Sequence, residues 1–193
     1  MENYSTLLSI TNWESSKSRA NLLDNITELG KERFWRELPS FDCGNSSYLL
    51  KGFAENNCNK VFKELWQAYS SDQCRYVFSS GKGEVICNLL YLNGNRELLK
   101  EFLLHYTNNN EAVLKDINSF IDNLDSALNS YVSTDDASLD KINRDWVVHD
   151  EIEKTLPKLI EALDCNTQNI QVQNTSIEVD SISAGESSKE HIH

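Results

Sequence analysis

The chain has 193 residues, 39% of them apolar, and a formal net charge of −12. That length fits one domain with a tail or two very small domains, and such acidity disfavours binding to phosphate backbones through a basic patch. Two prolines and seven glycines are few for an all-β chain, which needs a turn every ~8–12 residues, so the class is mainly α.

The N-terminal MENYSTLLSI has no basic region, and its apolar run is too short for a signal peptide. No stretch approaches the ~18 apolar residues of a membrane span, so no membrane partner is expected. The five cysteines are odd in number, and the first four lie 13 to 16 residues apart. Neither CxxC nor HxxxH occurs, and zinc sites normally contain such a close pair. No metal or cofactor is expected, and reduced thiols imply a cytoplasmic or nuclear protein.

Along the chain, residues 16–38 read as a first helix, with Leu22, Leu23, Ile26 and Leu29 on one stripe and Pro39 after its end. Gly30 weakens its middle by about 1 kcal/mol relative to alanine. KERFWR, Lys31 to Arg36, is the only cluster of basic residues. Trp13 and Trp35 sit on no clean inward stripe and read as partner-binding anchors. Ser46 to Ser70 forms a second helical block with apolar residues at steps of three and four, which the polar ENN at 55–57 splits.

The stretch from 74 to 95, CRYVFSSGKGEVICNLLYLNGN, admits two readings. Its apolar runs flank Gly81 and Gly83 and suit a β-hairpin near 74–92, but Glu84 to Leu92 also suits a buried helix. The helix is the better fit for the second run, because Gly94 and Asn95 then serve as its stop and the next cap. GKGE lacks the spacing and the following Ser or Thr of a phosphate-binding loop. Asn95 to Tyr106 follows as a short helix. Asn110 caps the next one, whose Leu114, Ile117, Ile121, Leu124, Leu128 and Tyr131 form the seam of an antiparallel bundle.

STDDAS offers Ser133 with Asp136 as a capping arrangement for the last helix. That helix carries Leu139, Ile142, Trp146, His149, Ile152, Leu156, Leu159, Ile160 and Leu163 as its inward residues. Pro157 bends or restarts it, with Thr155 as the new cap. From residue 165 the composition turns to Asn, Gln, Ser and acidic residues, so 1–164 reads as a helical domain and 165–193 as a disordered acidic tail. No internal repeat of 20 to 50 residues is apparent. The expected architecture is a multi-helix bundle of about five to seven helices.

Two segments invite functional readings. In NRDWVVHD, residues 143–150, His149 falls on the inward stripe and reads first as a core or semi-core histidine bonded to a neighbouring carbonyl or carboxylate. Arg144 lies five residues earlier, about 140° round a continuous helix, so the two side chains diverge. Arg144, Asp145 and His149 also resemble the Arg-polar-x-x-x-His motif of HEPN-type helical ribonucleases. That resemblance implies a metal-independent RNA cleavage at a dimer cleft, with an imidazole moving the 2′-oxygen proton and an arginine steadying the phosphorane. In the tail, SIEVDSIS alternates aliphatic and acidic or polar residues, a pattern suited to adding a strand to a sheet edge through Ile177 and Val179. It resembles SUMO-interacting motifs.

Elsewhere the inventory for catalysis is thin: no GxSxG, and no cysteine near a histidine in sequence. The acidic residues lack the DxDxDG order of a calcium loop. The reading that results is a non-catalytic intracellular helical interaction module, a subunit or regulator of a larger assembly, whose partners are proteins, including basic ones that complement its charge. The alternatives are the HEPN-like ribonuclease and an acidic inhibitor or immunity protein that occupies a basic nuclease site.

Overall fold

The computed structural model describes Lys17 and the backbone of residues 43–183, with side chains over 47–166 apart from Val61. Within that span are seven α-helices and no strand. They are α1 (Cys43–Glu55), α2 (Asn59–Gln67), α3 (Ser71–Ser79), α4 (Lys82–Leu92), α5 (Arg96–Tyr106), α6 (Leu114–Asn129) and α7 (Ala137–Ser183), with a 3-10 turn, Glu111–Val113, leading into α6. The helix expected over 16–38, and with it Trp13 and Trp35, lies outside the described residues.

Left-handed residues end three of the helices. Asn57, Gly94 and Asn108 adopt φ of 56°, 76° and 55°, a conformation that glycine and asparagine reach most cheaply. Each turn closes with the paired bonds of a Schellman motif, as in Asn95 N–H to Leu90 O (2.9 Å) and Gly94 N–H to Tyr91 O (3.0 Å). The α1–α2 and α4–α5 turns then meet through side chains. The Asn95 amide bonds to Asn59 and Asn57, at 3.0–3.1 Å, so it joins two hairpins and makes no side-chain cap for α5.

The helices stack in two rows. In one row α4 lies between α1 and α7, and in the other α5 lies between α2 and α6. Helix α3 lies against α4 and touches α1 and α5. This arrangement carries a repeat. Leu49, Leu50, Phe53 and Ala54 correspond, 37 residues on, to Ile86, Cys87, Leu90 and Tyr91, and all eight are buried. The same shift takes the buried Phe62, Leu65, Trp66 and Tyr69 to the buried Leu99, Phe102, Leu103 and Tyr106, and the left-handed Asn57 to Gly94. The expectation of no repeat is thereby corrected. It failed because burial and spacing are kept while identities and sizes change, as in Trp66 to Leu103 and Ala54 to Tyr91.

Both apolar runs of 74–92 are helical, and the hairpin alternative is not adopted. Gly81, at φ 78°, turns the chain from α3 into α4 without unpaired strand edges. Asp136 is the cap of α7: the amides of Ser138 and Leu139 donate to its carboxylate at 3.0 and 3.1 Å. Ser133 takes no part, and the amide of Thr134 donates to Asp140. Helix α7 runs through Pro157 without restarting, and the Thr155 hydroxyl donates back to Glu151 O at 2.6 Å, where a cap would bond forward. Proline here removes one backbone bond, and burial of Leu156, Leu159 and Leu163 on the same turns offsets that loss. The backbone helix also passes the boundary at 164, reaching Ser183. No proline or glycine interrupts residues 158–184, and elongating an existing helix needs no new nucleus.

A polar clamp ties the rows together. The Tyr91 hydroxyl donates to Asp125 at 2.6 Å, and Arg96 pairs with the same carboxylate. Burial, together with that bond, pushes the Tyr91 hydroxyl up to about 12, while the Arg96 hydrogen bond holds Asp125 below the usual carboxylate range.

The tightest contact in the described fold is at Gly83, buried in α4. A Cβ there would lie 2.4 Å from Cδ1 and 2.7 Å from Cγ of Phe78. In an open helix, glycine to alanine stabilises by about 1 kcal/mol. Gly83→Ala should instead destabilise by about 1–3 kcal/mol, because the Phe78 ring must be displaced. Urea unfolding checks the sign, and a more stable variant would show that α3 and α4 do not approach here.

Candidate functional site

The inward residues assigned to α7 from the sequence divide into two stripes. Ile152, Leu156, Leu159 and Leu163 are buried, together with Val148, which the sequence stripe left out, whereas Leu139, Ile142 and Trp146 keep 49%, 53% and 64% of their surface exposed. At 100° per residue, Trp146 and Ile152 lie about 120° apart. One straight helix cannot press both against the same neighbour. The core takes the 148–163 stripe, and among the described residues none covers the apolar face of the first three turns.

That outward stripe continues in steps of three and four through His149, Glu153, Pro157, Ile160 and Asp164, forming one wall of a groove. Helices α3 and α4 supply the other wall. Two cavities lie along it. The first, about 240 Å³, is lined by Asn88 of α4 and by Ile142, Asp145, Trp146 and His149. The second, about 440 Å³, lies between Arg75, Phe78, Gly81 and Glu84 on one side and Leu156, Pro157, Ile160 and Asp164 on the other. Val85 and Leu92 are exposed on α4.

His149 stands at the waist between the cavities. Its Nε2 is 3.9 Å from Glu84 and its Nδ1 3.9 Å from Glu153, and its ring meets Trp146 edge-on at 5.5 Å. With 40% of its side chain exposed, it is half-buried beside two carboxylates and stands outside the core. Beyond the second cavity, the Tyr106 hydroxyl donates to Asp164 at 2.8 Å, fastening α5 to α7. Burial, then the bond to Asp164, raises the Tyr106 hydroxyl well above its ordinary value.

Arg144 is exposed and Asp145 half-buried. Helix α7 is unbroken between Arg144 and His149, so the pair stays about 140° apart on one chain. Acid–base chemistry shared between them would need two copies meeting at this helix. Ile177 and Val179 have helical backbone, and strand addition there would require those turns to unwind. Their side chains lie outside the described residues.

Burial raises the thiols of Cys74, to about 12, and of Cys87 further still, so both act as packing groups with little thiolate at neutral pH. Among the described residues no three His, Cys, Asp or Glu side chains gather to hold a metal ion, and no helix is long and apolar enough to cross a membrane. The groove's second wall, Arg75 with Glu84, was not legible in the sequence, because only the fold brings α3 beside α7. The spacing from Trp146 to Asp164 was a usable signal for the first wall.

The two stripes predict opposite responses to truncation. Ile152→Ala should cost about 2–5 kcal/mol, as a fully buried isoleucine. Trp146→Ala, although it removes the larger side chain, should stay within about 1 kcal/mol. Paired denaturant titrations check this, and an equal loss for Trp146→Ala would place its ring in the core. No protein-family model, curated protein or solved structure matches the chain.

Proposed function

We propose that the protein is a non-catalytic helical interaction module, a subunit or regulator of a larger assembly, and that it engages a protein partner through the groove along α7. The observation that carries this reading is the exposed face of Leu139, Ile142 and Trp146, three large apolar side chains on the turns of α7 that precede its buried stripe, which begins at Val148. Solvating such a contiguous face costs free energy, and covering it is the usual compensation. Aromatic anchors beside a pocket are the side chains that dominate interface energetics, and Trp146 is one of them. The setting that fits is cytoplasmic or nuclear, where the thiols of Cys58, Cys74, Cys87 and Cys165 stay unpaired as they are in the fold.

Affinity capture from native lysate with the full chain and with Ile142→Asp, each with and without ribonuclease, tests this. A protein retained in stoichiometric yield by the wild type, insensitive to ribonuclease and lost with Ile142→Asp at unchanged circular dichroism, is the expected result. RNA as the retained species, or equal retention by the variant, would overturn the reading.

A further inference from the structure

We propose that the α7 groove takes a single amphipathic helix of a partner protein, with apolar residues toward both ends and lysine or arginine between them. This rests on the interaction reading and specifies its occupant. The first support is shape. From Ile142 to Asp164 the groove follows α7 for about 33 Å, the length of a helix of about 22 residues. Grooves between packed helices accept helices, which satisfy their own backbone hydrogen bonds and present side chains at steps of three and four.

The second support is the order of chemistry along the groove. The first section is mainly apolar, with Ile142 and Trp146 beside Asn88 and Asp145. Next comes the waist, where Glu84 and Glu153 flank His149 and keep 34% and 66% of their side chains exposed. Phe78, Leu156, Pro157 and Ile160 make the following section mainly apolar again, although Arg75 and Asp164 also line it. An apolar–acidic–apolar groove is complemented by an apolar–basic–apolar helix. The formal charge of −12 adds long-range steering for such a partner.

A second copy of the chain fits less well. Its own outward stripe would bring Glu153 and the neighbouring Asp150 against Glu84, placing carboxylates of like sign together at the waist. Like charges brought face to face oppose association.

The test uses the full chain and two labelled synthetic helical peptides of about 22 residues. They share one leucine stripe and carry either lysine or glutamate at the mid-length positions that flank it. Fluorescence anisotropy should show the lysine peptide binding about tenfold or more tighter than the glutamate peptide, with affinity falling as salt rises. The double variant Glu84→Lys/Glu153→Lys should reverse the preference, and this gain for the glutamate peptide also shows that the variant is folded. Ile142→Asp should weaken both peptides. Equal affinities, no binding of either peptide, or a preference unmoved by charge reversal would each overturn the proposal. Concentration-dependent dimerisation abolished by Trp146→Ala would overturn it in favour of self-association. Loss of the captured partner with Ile142→Asp, without any preference for lysine, would sink this inference and leave the interaction reading standing.

Discussion

Helix α4 is held on three sides, by α1, by α7 and by α3, and the contact with α3 is so close that only glycine fits at position 83. Because Gly83 has no side chain, the ring of Phe78 can lie against the α4 backbone. From there it stacks with Phe102 and meets Tyr106 and Trp66 edge-on, at centroid distances of 5.2, 4.9 and 6.4 Å. Those rings line the interior between the two rows. Aromatic groups at such separations add about 0.5–1.5 kcal/mol per pair beyond their buried area, so the position of α4 couples α3 to α5. Its far side, through Ile86, Cys87 and Leu90, receives the neighbouring helices of its own row.

Fixing α4 also fixes what α7 can bury. Helix α7 extends past its supports. Its middle turns, Val148 to Leu163, lie against α4 and α6, while its first turns carry Leu139, Ile142 and Trp146 outward. A free-standing helix could rotate to bury the larger stripe. This one is held in register by burial of its Val148–Leu163 stripe and by the Tyr106–Asp164 bond toward the end of that stripe. Exposure of the tryptophan face thus follows from packing further along the same helix. The groove exists because the wall made by α3 and α4 cannot move to close it.

Much of this was legible in the sequence. The three–four spacing of α1, α2, α5 and α6, the stop at Gly94 and the cap at Asn110 all follow from local rules, and those rules hold where a helix has one buried face. Three features were not legible, for different reasons. On α7 two apolar stripes overlap in sequence, and only the neighbours decide which is core. His149 lay on the stripe that lost, and so it stands at the groove's waist beside Glu84. The 37-residue repeat was hidden because burial keeps spacing and apolar character while identity and size change: Phe62 pairs with Leu99, and Leu65 with Phe102. Arg75 and Phe78 could not be tied to α7 by any local pattern, since they lie about 80 residues away in the chain.

The most direct measurement of whether α7 is half anchored and half presenting is hydrogen exchange on the free full-length chain, resolved by residue. Amides of α4 from Val85 to Tyr91 and of α7 from Val148 to Leu163 should be the slowest in the protein, opening only with global unfolding. Those from Leu139 to Trp146, packed on one side at most, should exchange at least about tenfold faster through local opening. Equal protection along the whole of 139–163 would mean that the outward stripe is already covered in the free protein, and it would contradict the account of α7 as an exposed docking face.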